Sequence, residues 1–89
     1  MMAEQSVQIR NKNGLHARPA AEIVKAASKF KSDITICRED IEVNGKSIMG
    51  VMMLAAEFGS TIHLRANGPD AQEAVSALAT LVENRFGES

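Results

Sequence analysis

The residues most able to carry chemistry lie in the segment from Asn13 to Ala20, where a loop runs into a helical pattern. His16 falls at or next to the predicted N-cap of that helix, and Arg18 follows two positions later. The first amides of a helix lack acceptors, and the helix dipole is positive at that end, so an anion on the imidazole would be held there. A guanidinium adds a planar set of donors that matches phosphate oxygens. The pattern therefore indicates chemistry in which a histidine nitrogen takes up and releases a phosphoryl group.

Taken by position alone, a histidine before a helix is more often a cap or a solvated side chain. Gly14 permits an unusual backbone angle just before the helix. A histidine, a helix N-terminus and one arginine suffice for a relay of phosphoryl groups. They do not suffice for a self-contained enzyme, and no second catalytic group lies near His16 in the sequence. A small hydrolase of the acylphosphatase type therefore ranks last.

The segment Gly14–Ala20, with the sequence Gly-Leu-His-Ala-Arg-Pro-Ala, resembles the active-site signature of the HPr/NPr family, the histidine phosphocarriers of the bacterial phosphotransferase system. The resemblance covers essentially the whole chain. It implies that His16 is phosphorylated through Nδ1 and that Arg18 assists the phosphate. It also implies that the backbone amides of Ala17 and Arg18 contact the phosphate.

The same resemblance implies that the loop residues Asn13 and Gly14 support the site, with Asn13 hydrogen-bonding near it. The implied donor is enzyme I, charged by phosphoenolpyruvate, and the implied acceptor is an enzyme IIA-type domain. The chain would be a stoichiometric carrier and not an enzyme, with no cofactor and no metal. We expect a monomer. In some relatives the C-terminal carboxylate approaches the active site, but the extended tail, which we expect to be frayed, leaves that contact open here.

A second segment, Lys46–Met52, begins a short helix that is apolar on more than one face. A domain this thin cannot bury all of these apolar residues. Ser47 is the predicted N-cap of this helix. Ile48, Met49 and Met52 form a predicted exposed patch, and methionines suit a surface that accepts several partners. The segment resembles the regulatory serine region of HPr, which HPr kinase/phosphorylase phosphorylates in many bacteria. Burial of the three apolar residues and a purely structural serine cap are the alternatives.

Two further functions remain open. An NPr-type carrier of the nitrogen-related branch would use the same chemistry for regulation, and the Ser47 segment favours the sugar branch over it. A purely regulatory binding protein, controlled through Ser47, is disfavoured because relatives of that kind lack the histidine found at His16.

Apolar periodicity predicts the elements that position these residues, in the order β-α-β-β-α-β-α. Strands are predicted at 6–10, 33–38, 41–43 and 61–66. Helices are predicted from 17, from the Ser47 cap to about 56, and from a capping-box-like start at Asp70. The economical fold is an α/β (α+β) open-faced sandwich, with a four-stranded antiparallel sheet and three helices on one face, in a single domain spanning 1–89. The strand order stays open.

Composition excludes several functional classes. The net charge of −1, the absence of Trp and Tyr and the presence of only three Phe argue against nucleic-acid binding. The single cysteine, Cys37, allows neither an internal disulfide nor a multi-thiolate metal site. The N-terminus lacks a signal-peptide pattern, and the longest near-apolar run, 48–56, is too short to span a bilayer. We therefore expect a cytoplasmic protein that does not insert into a membrane.

Overall fold

A computed structural model of the protein describes residues 1–88. The elements are β1 (Met2–Gln8), α1 (Ala17–Ala27), β2 (Asp33–Arg38), β3 (Ile41–Asn44), α2 (Ile48–Met53), β4 (Thr61–Asn67), α3 (Ala71–Glu83) and a 3₁₀ turn (Arg85–Gly87). Their order is the one that the periodicity predicts.

The four strands form one antiparallel sheet in the order β1-β4-β2-β3. The predicted antiparallel sheet is confirmed, and the structure supplies the strand order that the sequence left open. β4 lies between β1 and β2, where its alternating residues Ile62 and Leu64 are buried against the helices. His63 and Arg65 of the same strand lie on the opposite, partly exposed face. A sheet with one dry and one wet face is what period-2 alternation produces.

The helices bury their apolar faces on one side of this sheet. α1 contributes Ala20 and Ile23, while α3 contributes Val75 and Leu78, and all four are nearly inaccessible to solvent. Pro19 lies in the first turn of α1, where its missing N–H costs no helix hydrogen bond. Burial of Ala20 and Ile23 thus fixes α1 in the core and sets the position of its N-terminus.

The bounds of β1 and α2 differ most from the predictions. β1 begins at Met2 and not at residue 6, because its whole length pairs with β4, from Met2 opposite Asn67 to Gln8 opposite Thr61. α2 ends at Met53 and not near residue 56. Ala55 has a φ of 50° and is exposed, so the chain leaves the helix before this residue.

Asp70 precedes α3 as predicted, but its side chain does not cap that helix. The carboxylate accepts hydrogen bonds from the Ser32 hydroxyl at 2.6 Å and from the amides of Lys31 and Ser32 at 2.9 Å. Hydrogen bonds that favour the ionised form, first among them the one from the Ser32 hydroxyl, lower the pKa of Asp70 to about 2. Asp70 therefore joins the β2 entry loop to the start of α3.

Candidate functional site

His16 is the N-cap residue of α1, as predicted. Its backbone is extended (φ −78°, ψ −173°), and its carbonyl accepts the amide of Ala20 at 3.0 Å, which is the first helical hydrogen bond. The imidazole makes no capping hydrogen bond of its own, and 41% of the side chain is exposed. The ring is therefore accessible to another protein while its backbone is fixed by the helix.

The loop before His16 is held by a close backbone approach. Gly14 has a φ of 66°, and a Cβ atom there would lie 2.5 Å from the carbonyl oxygen of Ala56. The next amide, that of Leu15, donates to the same carbonyl at 2.9 Å. Only glycine fits this approach, because both the conformation and the space exclude a side chain. The unusual backbone angle predicted for Gly14 is confirmed.

Glu88 brings the C-terminal end of the chain onto the imidazole. Its Oε1 atom lies 3.3 Å from Nε2 of His16 and accepts Nδ2–H of Asn11 at 3.1 Å. Its Oε2 atom lies 3.5 Å from Nη1 of Arg18. Phe86, which is buried, anchors this turn in the core. The tail at residues 86–89 is predicted to be frayed. That prediction is wrong over residues 86–88, because burying Phe86 holds the turn in place, and Ser89 lies outside the described residues.

The environment of Glu88 keeps its carboxyl ionised. Desolvation is the largest single influence and would raise the pKa of Glu88. The hydrogen bonds from His16 and Asn11, together with the charges of His16 and Arg18, outweigh it and lower that pKa. An ionised carboxylate only accepts hydrogen bonds, so Nε2 of His16 must carry the proton in this contact. In the neutral ring that choice leaves Nδ1 as the unprotonated nitrogen.

Arg18 is the exposed cation of the site, with 67% of its side chain accessible to solvent. It lines an open cavity together with Lys12, Asn13, His16 and Glu88. Pro19 lacks an N–H, so the amides available at the start of α1 are those of residues 17 and 18. The predicted set of imidazole, guanidinium and helix amides is therefore brought to one place.

Asn11, besides the Asn13 that the family resemblance implies, supports the loop before His16. Asn13 is exposed and lines the cavity. Asn11 is fully buried and donates through Nδ2 to the carbonyl of Gly14 at 2.7 Å as well as to Glu88. Sequence analysis missed Asn11 and Glu88. No local pattern marked them, because Glu88 lies 77 positions from Asn11 and 72 from His16.

The second predicted segment also folds as expected. Ser47 caps α2, because its hydroxyl accepts the amide of Gly50 at 3.1 Å. Ile48, Met49 and Met52 are exposed by 45%, 76% and 42%, so their predicted exposure is confirmed. Met53, which was not predicted, is exposed by 69% and widens this apolar surface.

Two classes of site are not found in the part of the chain that the structure describes. Across residues 1–88, no three His, Cys, Asp or Glu side chains are grouped so as to hold a metal ion. None of the helices within these residues combines the length and the apolarity needed to cross a bilayer.

A family model described as "PTS HPr component phosphorylation site" matches residues 3–84. The chain belongs to the HPr family. The match ends before Glu88, so the carboxylate on His16 comes from outside the segment that this family model covers.

Named members of the HPr family align over nearly the whole chain. The phosphocarrier protein HPr of Cupriavidus necator is 51% identical over 87 residues, covering 98% of both proteins. The crystal structure of HPr-C-His from Thermoanaerobacter tengcongensis superimposes with a TM-score of 0.94 at 48% identity, covering 98% of each chain. A structure described as an HPr dimer from the same organism matches with a TM-score of 0.78 at 50% identity, covering 92% of this chain and 94% of that one. The HPr fold therefore accommodates this sequence without rearrangement.

Proposed function

We propose that this HPr-family chain carries a phosphoryl group on Nδ1 of His16. The lone pair of Nδ1 attacks the phosphorus held by a donor protein, and the donor's leaving group departs with the electrons of the broken bond. The observation that carries the proposal is the 3.3 Å contact between Nε2 of His16 and Glu88, since it directs the proton to Nε2 and leaves Nδ1 as the nucleophile. Arg18 and the amides of Ala17 and Arg18 then neutralise the phosphate oxygens.

The donor in this proposal is enzyme I charged by phosphoenolpyruvate, and the acceptor is an enzyme IIA-type domain. The chain takes up one phosphoryl group and releases it intact, so it acts as a stoichiometric carrier within a relay. The exposed ring of His16 supports this role, because a partner can reach it without any opening of the fold. We further propose that the carrier works in the cytoplasm as a monomer. Elution of the chain as a dimer in size-exclusion chromatography would contradict the monomer.

The test is phosphorylation of the chain by phosphoenolpyruvate in the presence of a catalytic amount of enzyme I. We expect one acid-labile phosphate per wild-type chain, none on His16→Ala, and unchanged stoichiometry on Ser47→Ala. Labelled chain mixed with a IIA domain should lose its phosphate to that domain. Labelling that survives His16→Ala contradicts the proposal, and steady release of free phosphate without a partner would favour a hydrolase.

We propose that Ser47 is a regulatory phosphorylation site for HPr kinase/phosphorylase, and that the exposed surface of Ile48, Met49 and Met52 receives partners. A phosphate on Ser47 adds about −2 charge beside that surface, which repels or unseats a partner without unfolding the helix. Ser47→Asp keeps a good N-cap and adds charge, whereas Ser47→Ala removes the cap but adds none. We expect slower phosphorylation of His16 only in Ser47→Asp. Equal rates in the two variants would contradict regulation.

The Ser47 segment supports the sugar branch of the phosphotransferase system over the NPr-type nitrogen branch. The discriminating measurement offers labelled chain to a IIA domain of each branch in competition. Faster transfer to the sugar-branch domain is expected, and the opposite preference would assign the chain to the regulatory branch.

A further inference from the structure

The surface beside the His16 cavity contains an exposed aromatic ring among cations. Phe58 is 66% exposed, whereas Phe30 is partly buried and Phe86 is 5% exposed. Phe58 lines a shallow depression together with Arg10, Lys12 and Arg85, and no carboxylate lines it. We call these four residues the basic aromatic patch. Phe58 is thus an exposed aromatic side chain among cations, and aromatic residues and arginine are both enriched at protein interfaces.

The patch is held by backbone contacts and not by its own side chains. The amide of Ile9 donates to the carbonyl of Ser60 at 2.8 Å, and the amide of Gly59 donates back to the carbonyl of Ile9 at 2.8 Å. These bonds join the segment that carries Arg10 to the segment that carries Phe58. Arg85 is brought alongside by the C-terminal turn, in which it has a φ of 57°. The four side chains are thus placed together before any partner arrives.

Among residues 1–88, no carboxylate forms an ion pair with the cations of the patch. Inside residues 1–88, the ion pairs involve Arg18, Arg65 and the two histidines, and none involves Arg10, Lys12 or Arg85. The whole chain has a net charge of −1, so it offers an acidic partner no overall attraction. Electrostatic steering of an acidic partner therefore has to come from local groups of cations. The electrostatic field of such a group raises association rates by roughly 10- to 1000-fold.

Lys12 connects the patch to the phosphoryl site, because it lines both the depression at Phe58 and the cavity at His16. A specific protein interface covers about 800 Å² per partner, which is close to one sixth of the 4973 Å² surface of this chain. A protein seated over His16 therefore extends readily onto Lys12 and its neighbours. The depression is too shallow to enclose a small ligand, which favours a protein partner.

We infer that the basic aromatic patch docks an acidic surface, with an apolar recess for Phe58, on the proteins that exchange phosphoryl groups with His16. The inference rests on the proposed function. The patch supplies affinity and steering, and it takes no part in the chemistry at the imidazole.

The experiment measures the Kd of enzyme I and of a IIA domain at low and high salt on a His16→Ala background, where no phosphoryl transfer intervenes. Arg10→Glu with Arg85→Glu should weaken binding of at least one partner by about tenfold at low salt, with a smaller effect at high salt. Lys29→Glu with Lys31→Glu changes the net charge equally at the far end of α1, and should leave the Kd unchanged. Circular dichroism confirms that the variants are folded.

Phe58→Ala should weaken binding of the same partner at both salt concentrations, because the loss is apolar. Ile41→Ala is its control, at the opposite edge of the sheet, and should have no effect. Equal Kd values for wild-type and patch variants with both partners, or no binding at all, would overturn the inference. Amide shifts at the patch caused by ATP or pyrophosphate, without any effect on either protein partner, would also overturn it. Phosphate labelling of the wild-type chain tests the carrier function separately from these affinities.

Discussion

Replacing Gly14 by alanine should destabilise the fold through two separable effects. Alanine at a φ of 66° costs about 1–2 kcal/mol. Its Cβ would also lie 2.5 Å from the carbonyl oxygen of Ala56, and a contact that forces backbone to move costs about 1–3 kcal/mol. Gly59 provides the matched control, because its φ is 88° and nothing lies within 4 Å of a Cβ built there.

Gly59→Ala should therefore cost only the conformational term of about 1–2 kcal/mol, and Gly14→Ala about 2–5 kcal/mol. The loss of glycine entropy in the unfolded chain stabilises both variants alike and cancels in their difference. That difference of about 1–3 kcal/mol corresponds to at least about 4 °C in Tm for a domain of this size. Thermal and urea unfolding followed by circular dichroism measure it.

Gly14→Ala should also slow phosphorylation of His16. The carbonyl of residue 14, two residues before His16, accepts Nδ2–H of Asn11, and a backbone shift at residue 14 would disturb this hydrogen bond. Gly59→Ala should leave that rate unchanged. Equal destabilisation by the two substitutions would refute the reasoning, since it would mean that the Ala56 carbonyl does not limit the space at Gly14.

Three further outcomes are expected. The lowered pKa of Asp70 means that its hydrogen bonds stabilise the fold fully above the ordinary value of 3.8 and lose this effect as the pH falls through about 2. The free energy of unfolding of the wild type minus that of Asp70→Asn should shrink over this range, and a constant difference in urea titrations would contradict the role of the Ser32 contact. Glu88→Ala should reduce the fraction of His16 rings that carry the proton on Nε2, as measured by ¹⁵N NMR. Glu88→Gln keeps a hydrogen-bond acceptor and should change that fraction less. No change in either variant would exclude tautomer selection by this carboxylate. Leu64→Ala, at a side chain only 1% exposed in the centre of the sheet, should cost about 2–5 kcal/mol in urea unfolding without changing the m-value, and a loss below about 1 kcal/mol would mean that the core collapses around it.

Elements with a strong apolar period were predictable because their own residues specify which side is buried. The spacing of Ala20, Ile23 and Ala27 predicts the inward face of α1, and all three are buried. The alternation of Ile62 and Leu64 does the same for β4. The start of β1 was not predictable, because its first residues are mostly polar and become a strand only by pairing with β4.

The sequence by itself determined that a histidine and an arginine lie at a helix start, since N-cap position and helical period are local properties. Only the tertiary structure decided which groups meet them. Glu88 reaches His16 across 72 positions of sequence, and Asn11 meets the same carboxylate across 77. Asp70 likewise bonds Ser32 across 38 positions in place of capping its own helix. Such pairings arise when buried elements pack, so the strand order and the turn anchored by Phe86 set them, and no local pattern in the chain encodes them.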